Sequence, residues 1–493
     1  LGISFANLVK NTAIKKIIFY RDLTHICPMS ENRKLNSSFL AIIMVFFFWG
    51  FVAASNGILI PLFKYKFELT QFQSQWVDSA FYLAYAIGSI IYFILSNRIG
   101  DPLNKIGYKK GLTLGLLISA IGALLFVPAA NYNSYALLLL ALFTIGLGFA
   151  LQQIVANPFV ANYGDKKHSA QRLNLAGGIN SFGTAIGPVL LSLALFGSTQ
   201  SPKPEVLGID SVKLPALILF GLFVLCAIII FASKLPKITQ NDTYTKDFQL
   251  SQHPLLKYGM LAIFMYVGVE VSIQSNLGEL LEDPQIRGID HTLIAPFISL
   301  YWGSLMIGRW TGSISVFNLN KSTKTLLQFL VPVVAFFIVY LINRHSGNDV
   351  SDFFSYLPFV FFASLIYYIS GDDPAKMLNY LALSAMILML VGLFTSGTLA
   401  LLCFVSGGLF CSVMWPCIFT LSISKLGKYT NQGSSLLIMM ILGGAVIPPF
   451  QGWLADVINI HSSYWVAVFC FAYLAWFAYF AKKQTVVESG NEI

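Results

Sequence analysis

Apolar runs of about 20 residues, most of them free of charge, recur along nearly the whole chain. A helix needs about that length to cross the ~30 Å hydrocarbon layer of a bilayer. Lipid offers no partner to a backbone N–H or C=O, so each crossing must close its hydrogen bonds within itself, as a helix does. Such runs cover residues 39–63, 76–97, 111–130, 135–162, 170–197 and 212–233, then 255–281, 292–317, 325–342, 353–369, 377–395, 397–423, 433–455 and 463–481. Between the two sets lies KLPKITQNDTYTKDFQLSQH (234–253), too polar to enter lipid. The pattern predicts an all-α membrane protein of about 14 spans. Residues 1–38 form an N-terminal tail, 39–233 a six-helix bundle, 234–253 a linker, 254–481 a second bundle and 482–493 a C-terminal tail. Residues 1–28 precede Met29 and are read either as an upstream extension or as a genuine basic tail, with no role assigned.

Composition excludes the soluble classes. Charged residues make up 11% of the chain, against about 25% in a soluble domain. The net charge of +9 raises the question of nucleic acid. The basic residues are scattered through short loops rather than gathered on one stripe, so a lipid bilayer is the expected partner and nucleic acid is not. Cys226, Cys403, Cys411, Cys417 and Cys470 fall inside apolar runs without metal-ligand spacing, and all six histidines lie outside the runs or at their edges. No cofactor, resident metal or enzymatic activity is therefore expected.

Lysine and arginine set the orientation. Every second loop is rich in them: Arg98, Lys105, Lys109 and Lys110; Lys166, Lys167 and Arg172; Lys234, Lys237 and Lys246; Lys321 and Lys324; Lys425 and Lys428; Lys482 and Lys483. Loops of the other parity hold few. Both termini and the linker are expected to be cytoplasmic, in the inner membrane of a bacterium. Two bundles joined by such a linker suit two repeats rocking around a site near the bilayer midplane.

The loop Gly100-Asp-Pro-Leu-Asn104-Lys105-Ile-Gly107-Tyr-Lys109-Lys110 resembles the signature loop of the major facilitator superfamily, with Asn104 in place of the usual acid. Its glycines permit tight turns and its bases can pair with helix ends, a structural role for Gly100, Asn104, Lys105 and Gly107. Further ordered motifs are Asn56-Gly57-Ile-Leu-Ile-Pro61, Leu151-Gln-Gln-Ile-Val-Ala-Asn157-Pro158, Arg172-Leu-Asn174-Leu-Ala-Gly-Gly-Ile-Asn180-Ser181-Phe-Gly183, Tyr266-Val-Gly-Val-Glu270, Gly308-Arg309-Trp-Thr-Gly312 and Trp415-Pro416. Together they are similar to the fucose–galactose–glucose symporter family of that superfamily, from about residue 39 to 480.

The resemblance implies a major facilitator fold with monosaccharide uptake coupled to a proton or sodium ion. It also places the two surplus spans as an extra hairpin at about 325–369, between family helices 8 and 9. Fucose-type members carry an aspartate where Gly57 stands, a glutamate at Gln153 and a glutamine at Gly177. Their coupling acids and fucose pocket are thus not carried over. Asn180 matches a sugar-contacting asparagine, Trp415 takes the place of a tyrosine that packs on the sugar, and the chain looks more like the glucose/galactose branch.

Ionisable groups at membrane depth are costly and each is a functional hypothesis. Asp78 is the expected cation-coupling carboxylate, able to hold a transient sodium ion, unless it is merely solvated at the outer mouth. Glu270 is expected to accept sugar hydroxyls or to carry the coupling ion. Arg309 is expected to be structural, snorkelling to one face or pairing across to another helix. Gln152, Gln153, Asn157, Asn180, Gln274 and Asn276 offer amides that match hydroxyls in both senses, or that join helices to one another. Trp415 offers a face for a pyranose, whereas Trp49, Trp76, Trp453 and Trp465 suit interfacial anchoring. The expected function is monosaccharide import by symport through a monomer. The alternative is an exporter of drugs or other small metabolites, which would want a greasier cavity.

Overall fold

The computed structural model describes residues 37–69, 73, 76–100, 102–163, 168–196, 208–233, 248–289, 294–317, 319–345 and 350–489. The apolar runs fold as helices. They are α1 (Ser37–Lys66), α2 (Trp76–Ile99), α3 (Pro102–Asn131), α4 (Tyr135–Asn162), α5 (Ser169–Phe196) and α6 (Lys213–Ala232). After the linker come α7 (Pro254–Glu282), α8 (Ala295–Ser313), α9 (Lys321–His345), α10 (Leu357–Ser370), α11 (Pro374–Phe394), α12 (Gly397–Cys411), α13 (Met414–Ile423), α14 (Thr430–Met439), α15 (Gly443–Val457), the short α16 (Ile460–Ser463) and α17 (Trp465–Ser489).

Among the described residues, 11 helical segments are long and apolar enough to cross a bilayer. The chain is a multi-pass, all-helical membrane protein. That count takes in neither α1 nor α5, parts of which lie outside the residues whose side chains are described. α5 carries Gln171, Arg172, Asn174, Ser181 and Thr184, all buried, on a face turned inward against other helices. α8 numbers 19 residues and carries Arg309.

Two of the expected spans are broken. The run 397–423 folds as α12 and α13 with a kink at Ser412–Val413, and 433–455 as α14 and α15 joined by a 3₁₀ turn at Met440–Leu442. The signature loop is largely helical, because α3 starts at Pro102, where the N–H that proline lacks would have no partner anyway. Gly100 (φ 89°) and Gly107 (φ 80°) hold left-handed backbone that favours glycine. Lys105 Nζ donates to the carbonyl of Ile99, the last residue of α2, at 2.5 Å, the helix-end pairing expected of this loop. The side chain of Asn104 lies outside the described residues.

Packing repeats along the chain. α3 lies against α4 and α6, α1 against α5, and α2 against α4. In the same way α11 lies against α12 and α17, α7 against α15, and α8 against α12. Lipid removes the hydrophobic drive between helices, so close contact through small residues matters. A Cβ on Gly50 of α1 would stand 2.6 Å from Thr184 Oγ1 of α5, so only glycine lets these two helices approach as they do. The two groups meet along α5–α8 and along α2–α14. At the end where the Lys- and Arg-rich loops lie, the basic end, Tyr108 Oη donates to Asn431 Oδ1 (2.9 Å) and Gln432 Nε2 to Asn97 Oδ1 (3.3 Å).

α9 and α10 form a hairpin outside α8. It enters and leaves at the basic end, where Lys324 Nζ pairs with Asp372 at 3.0 Å. At the far end Arg287 pairs with Asp352.

Candidate functional site

Arg309 sits one turn before the end of α8, and its side chain reaches inward to two other helices and one kink. Nη1 donates to Ser181 Oγ at 2.7 Å, to Asn180 Oδ1 at 3.3 Å and to the carbonyl of Gly177 at 3.4 Å, all on α5. Nη2 faces Glu270 Oε1 of α7 at 3.4 Å. Nε donates to the carbonyl of Ser412, in the kink between α12 and α13, at 3.1 Å. The two charged side chains are 13% and 11% exposed, so this is a largely buried ion pair, and Nε and Nη1 of the guanidinium have partners of their own.

Local sequence explains why these partners are free to meet. An α-helical carbonyl is normally bonded by the N–H four residues on. For Ser412 that residue is Pro416, which has no N–H, so the carbonyl is left for Arg309. Gly177 packs against the guanidinium stem, a Cβ built there lying 3.4 Å from Arg309 Cδ, an ordinary van der Waals distance. A Cβ at Gly178 would come 2.8 Å from Trp310 Cδ1. Its absence lets Trp310 Nε1 donate to the Gly178 carbonyl at 3.3 Å.

Two further contacts fix the backbone of Glu270 and the amide of Asn180. Tyr301 Oη donates to the backbone carbonyl of Glu270 at 2.6 Å. Asn180 Nδ2 donates to the carbonyl of Phe46 on α1 at 3.0 Å, which presents Oδ1 to Arg309. A carboxylate accepts several hydrogen bonds and an amide both donates and accepts, so this cluster can hold a polyhydroxylated ligand at membrane depth.

The sequence-predicted residues divide. Glu270, Asn180 and Arg309 are brought together. Arg309 pairs across helices rather than snorkelling. Gln153 is half-buried and its Nε2 donates to Tyr85 Oη at 3.2 Å, joining α4 to α2. Gln274 is half-buried on α7. Asn276 is buried and donates to the carbonyl of Ser272 one turn back on the same helix. Trp415 is half-buried and stacks on Phe419, ring centroids 4.9 Å apart.

Gln152 goes elsewhere. It is fully buried, accepting from Trp49 Nε1 at 2.9 Å and donating to Ser119 Oγ at 3.0 Å. Its amide is a clasp between α1, α3 and α4, and Trp49 is a core residue rather than an interfacial anchor. Asn157 is 1% exposed and, among the described residues, neither amide atom has a partner. Asp78 belongs to α2, but its side chain lies outside the described residues, as does that of Gly57.

Sequence reasoning gave no role to Ser181, Ser412 or Trp310. The signal for Ser412 was present, since Pro416 four residues later marks its carbonyl as unclaimed.

The major facilitator superfamily model matches residues 38–371, about two thirds of the chain. A glucose/galactose transporter of Brucella abortus biovar 1 (strain 9-941) is 32% identical over 92% of this chain and 96% of its own length. The L-fucose-proton symporter of Escherichia coli (strain K12) is 29% identical over 92% and 95%. The crystal structure of a major facilitator transporter, FucP, in the outward conformation superposes with a TM-score of 0.67 at 29% identity, covering 90% of this chain and 98% of that one. These relatives are transporters, not enzymes. The chain belongs to the major facilitator superfamily and, within it, to the fucose–galactose–glucose symporter family.

Proposed function

We propose that the protein is a secondary active transporter that imports a monosaccharide of the glucose/galactose type, in symport with a sodium ion or a proton. The observation that carries this reading is the buried Glu270–Arg309–Asn180 cluster between α5, α7 and α8, in a chain similar over nearly its full length to a glucose/galactose transporter. Glu270 and Asn180 contact sugar hydroxyls, with Gln153, Gln274 and Trp415 as further wall, while Asn157 and Asn276 join only when the helices move. Asp78 or Glu270 carries the coupling ion. An isolated buried carboxylate must be paired or neutralised, so a cation and Arg309 are alternative partners for Glu270.

Two bundles, 39–233 with six helices and 254–481 with six and the hairpin, rock around this cluster, with the basic end cytoplasmic by the distribution of Lys and Arg. The hairpin α9–α10 is a surplus element between family helices 8 and 9, bringing the total to about 14 spans. Cross-bundle bonds at the basic end, and the likeness to a structure in the outward conformation, support an outward-facing resting state.

The test is uptake into liposomes of labelled glucose, galactose, N-acetylglucosamine and fucose, with sodium and pH gradients imposed separately. Glucose or galactose should accumulate under one of the two gradients. Failure of every sugar under both would overturn the proposal.

A further inference from the structure

We propose that Arg309 is a pin that holds the two bundles shut at the basic end and that the sugar itself loosens it. The donors of one guanidinium are divided between the halves. Nη1 serves Gly177, Asn180 and Ser181 on α5, while Nε and Nη2 serve Ser412 and Glu270 on the other side. Separation of α5 from α8 must break the Nη1 set. A guanidinium is a rigid planar fork, so it cannot follow one half without leaving the other.

Two of its acceptors, Asn180 Oδ1 and Glu270 Oε1, are also the groups assigned to the sugar, so the inference rests on that assignment. Their contacts with Arg309 are the loose ones, 3.3 and 3.4 Å. Usual N–H···O bonds span about 2.7–3.2 Å. The tight ones, to Ser181 (2.7 Å) and Ser412 (3.1 Å), involve no predicted sugar contact. A hydroxylated ligand can therefore take Asn180 and Glu270 from Arg309 without displacing its anchor on Ser412. The α5 side then keeps Ser181 and the distant Gly177 carbonyl, and the seam is weakened only when the site is filled. This ties opening at the basic end to occupancy, which is what a transporter needs in order not to leak.

The test uses the full-length protein in lipid nanodiscs, in a background whose own cysteines are replaced by alanine, with Ala170→Cys as reporter. Ala170 is 7% exposed and lines a cleft at the basic end with Thr311 of α8 and Asp372. A water-soluble maleimide should label it slowly without sugar and faster with glucose or galactose. Arg309→Gln should raise the sugar-free rate about tenfold, and sugar should add little to it. Ser181→Ala, which removes the tightest cross-bundle bond and preserves the fork, should raise the sugar-free rate several-fold and still respond to sugar. Sugar-free rates unchanged from the parent in both variants overturn the pin. Hexose that binds the parent without accelerating labelling overturns loosening by sugar alone. Hexose that neither binds nor accelerates labelling sinks the sugar assignment, and a fast Arg309→Gln variant then still upholds the pin.

Discussion

Glu270 sits within a bundle with Arg309 facing its carboxyl and Tyr301 fixing its backbone. Replacing it by glutamine keeps the shape and removes the charge that a coupling ion would meet. If Glu270 carries that ion, Glu270→Gln should cut gradient-driven accumulation at least about tenfold, a loss of ~1.4 kcal/mol or more, and leave sugar exchange across liposomes in place. If Asp78 carries it, Asp78→Asn gives that result instead, and the two variants compared in one assay assign the ion. Glu270 was legible in the sequence, since a lone acid in an apolar run announces itself. Gln152 misled for an equally physical reason. An amide at membrane depth joins helices as readily as it binds ligands, and its Trp49 partner lies 103 residues away.

The kink between α12 and α13 turns a sequence feature into a site. Pro416→Ala would restore an N–H to the Ser412 carbonyl and compete with Arg309 Nε for it. Uptake should fall several-fold with the protein still inserted and folded, read as transport per unit of purified protein. Pro416 could be read from the sequence as a helix break. That the freed carbonyl would receive an arginine from α8 could not, because nothing local encodes a contact spanning 103 residues. The base of the hairpin carries a second electrostatic element. Burial of Asp372 opposes its ionisation, but hydrogen bonds from Ser315 and Lys324 and the charge of Lys324 outweigh it and hold the carboxyl below its ordinary value. A depressed acid stabilises the fold above its unfolded pKa, about 3.9, and loses that contribution as pH falls through the folded value. Asp372→Asn should therefore lower thermal stability at pH 7 by about 1 kcal/mol, with the difference from the parent shrinking below about pH 4. Melting of the detergent-purified protein across that range would check it.

At the scale of the molecule, the spans and the alternation of basic loops were legible because run length and charge are local properties. The closed seam was not, because it is made of residues that look like ordinary interior polars until the helices are assembled. Several of them are left with unsatisfied atoms on helices that meet across the bundles or line the cleft at the basic end. They are both amide atoms of Asn157 on α4, Ser434 Oγ on α14, and the amide oxygens of Gln171 and Asn174 on α5. A buried polar group without a partner costs about 1–3 kcal/mol, a cost that water removes when the surface opens. The closed state is thus held by a few directed bonds, such as those of Tyr108, Gln432 and Arg309, against a standing desolvation penalty that favours opening. Replacing the unsatisfied groups by apolar ones of similar size should remove the penalty and deepen the closed well. Asn157→Leu combined with Ser434→Ala should raise the melting temperature and slow uptake several-fold. A variant that melts lower, or transports at the parental rate while melting higher, would show that these groups do not poise the seam.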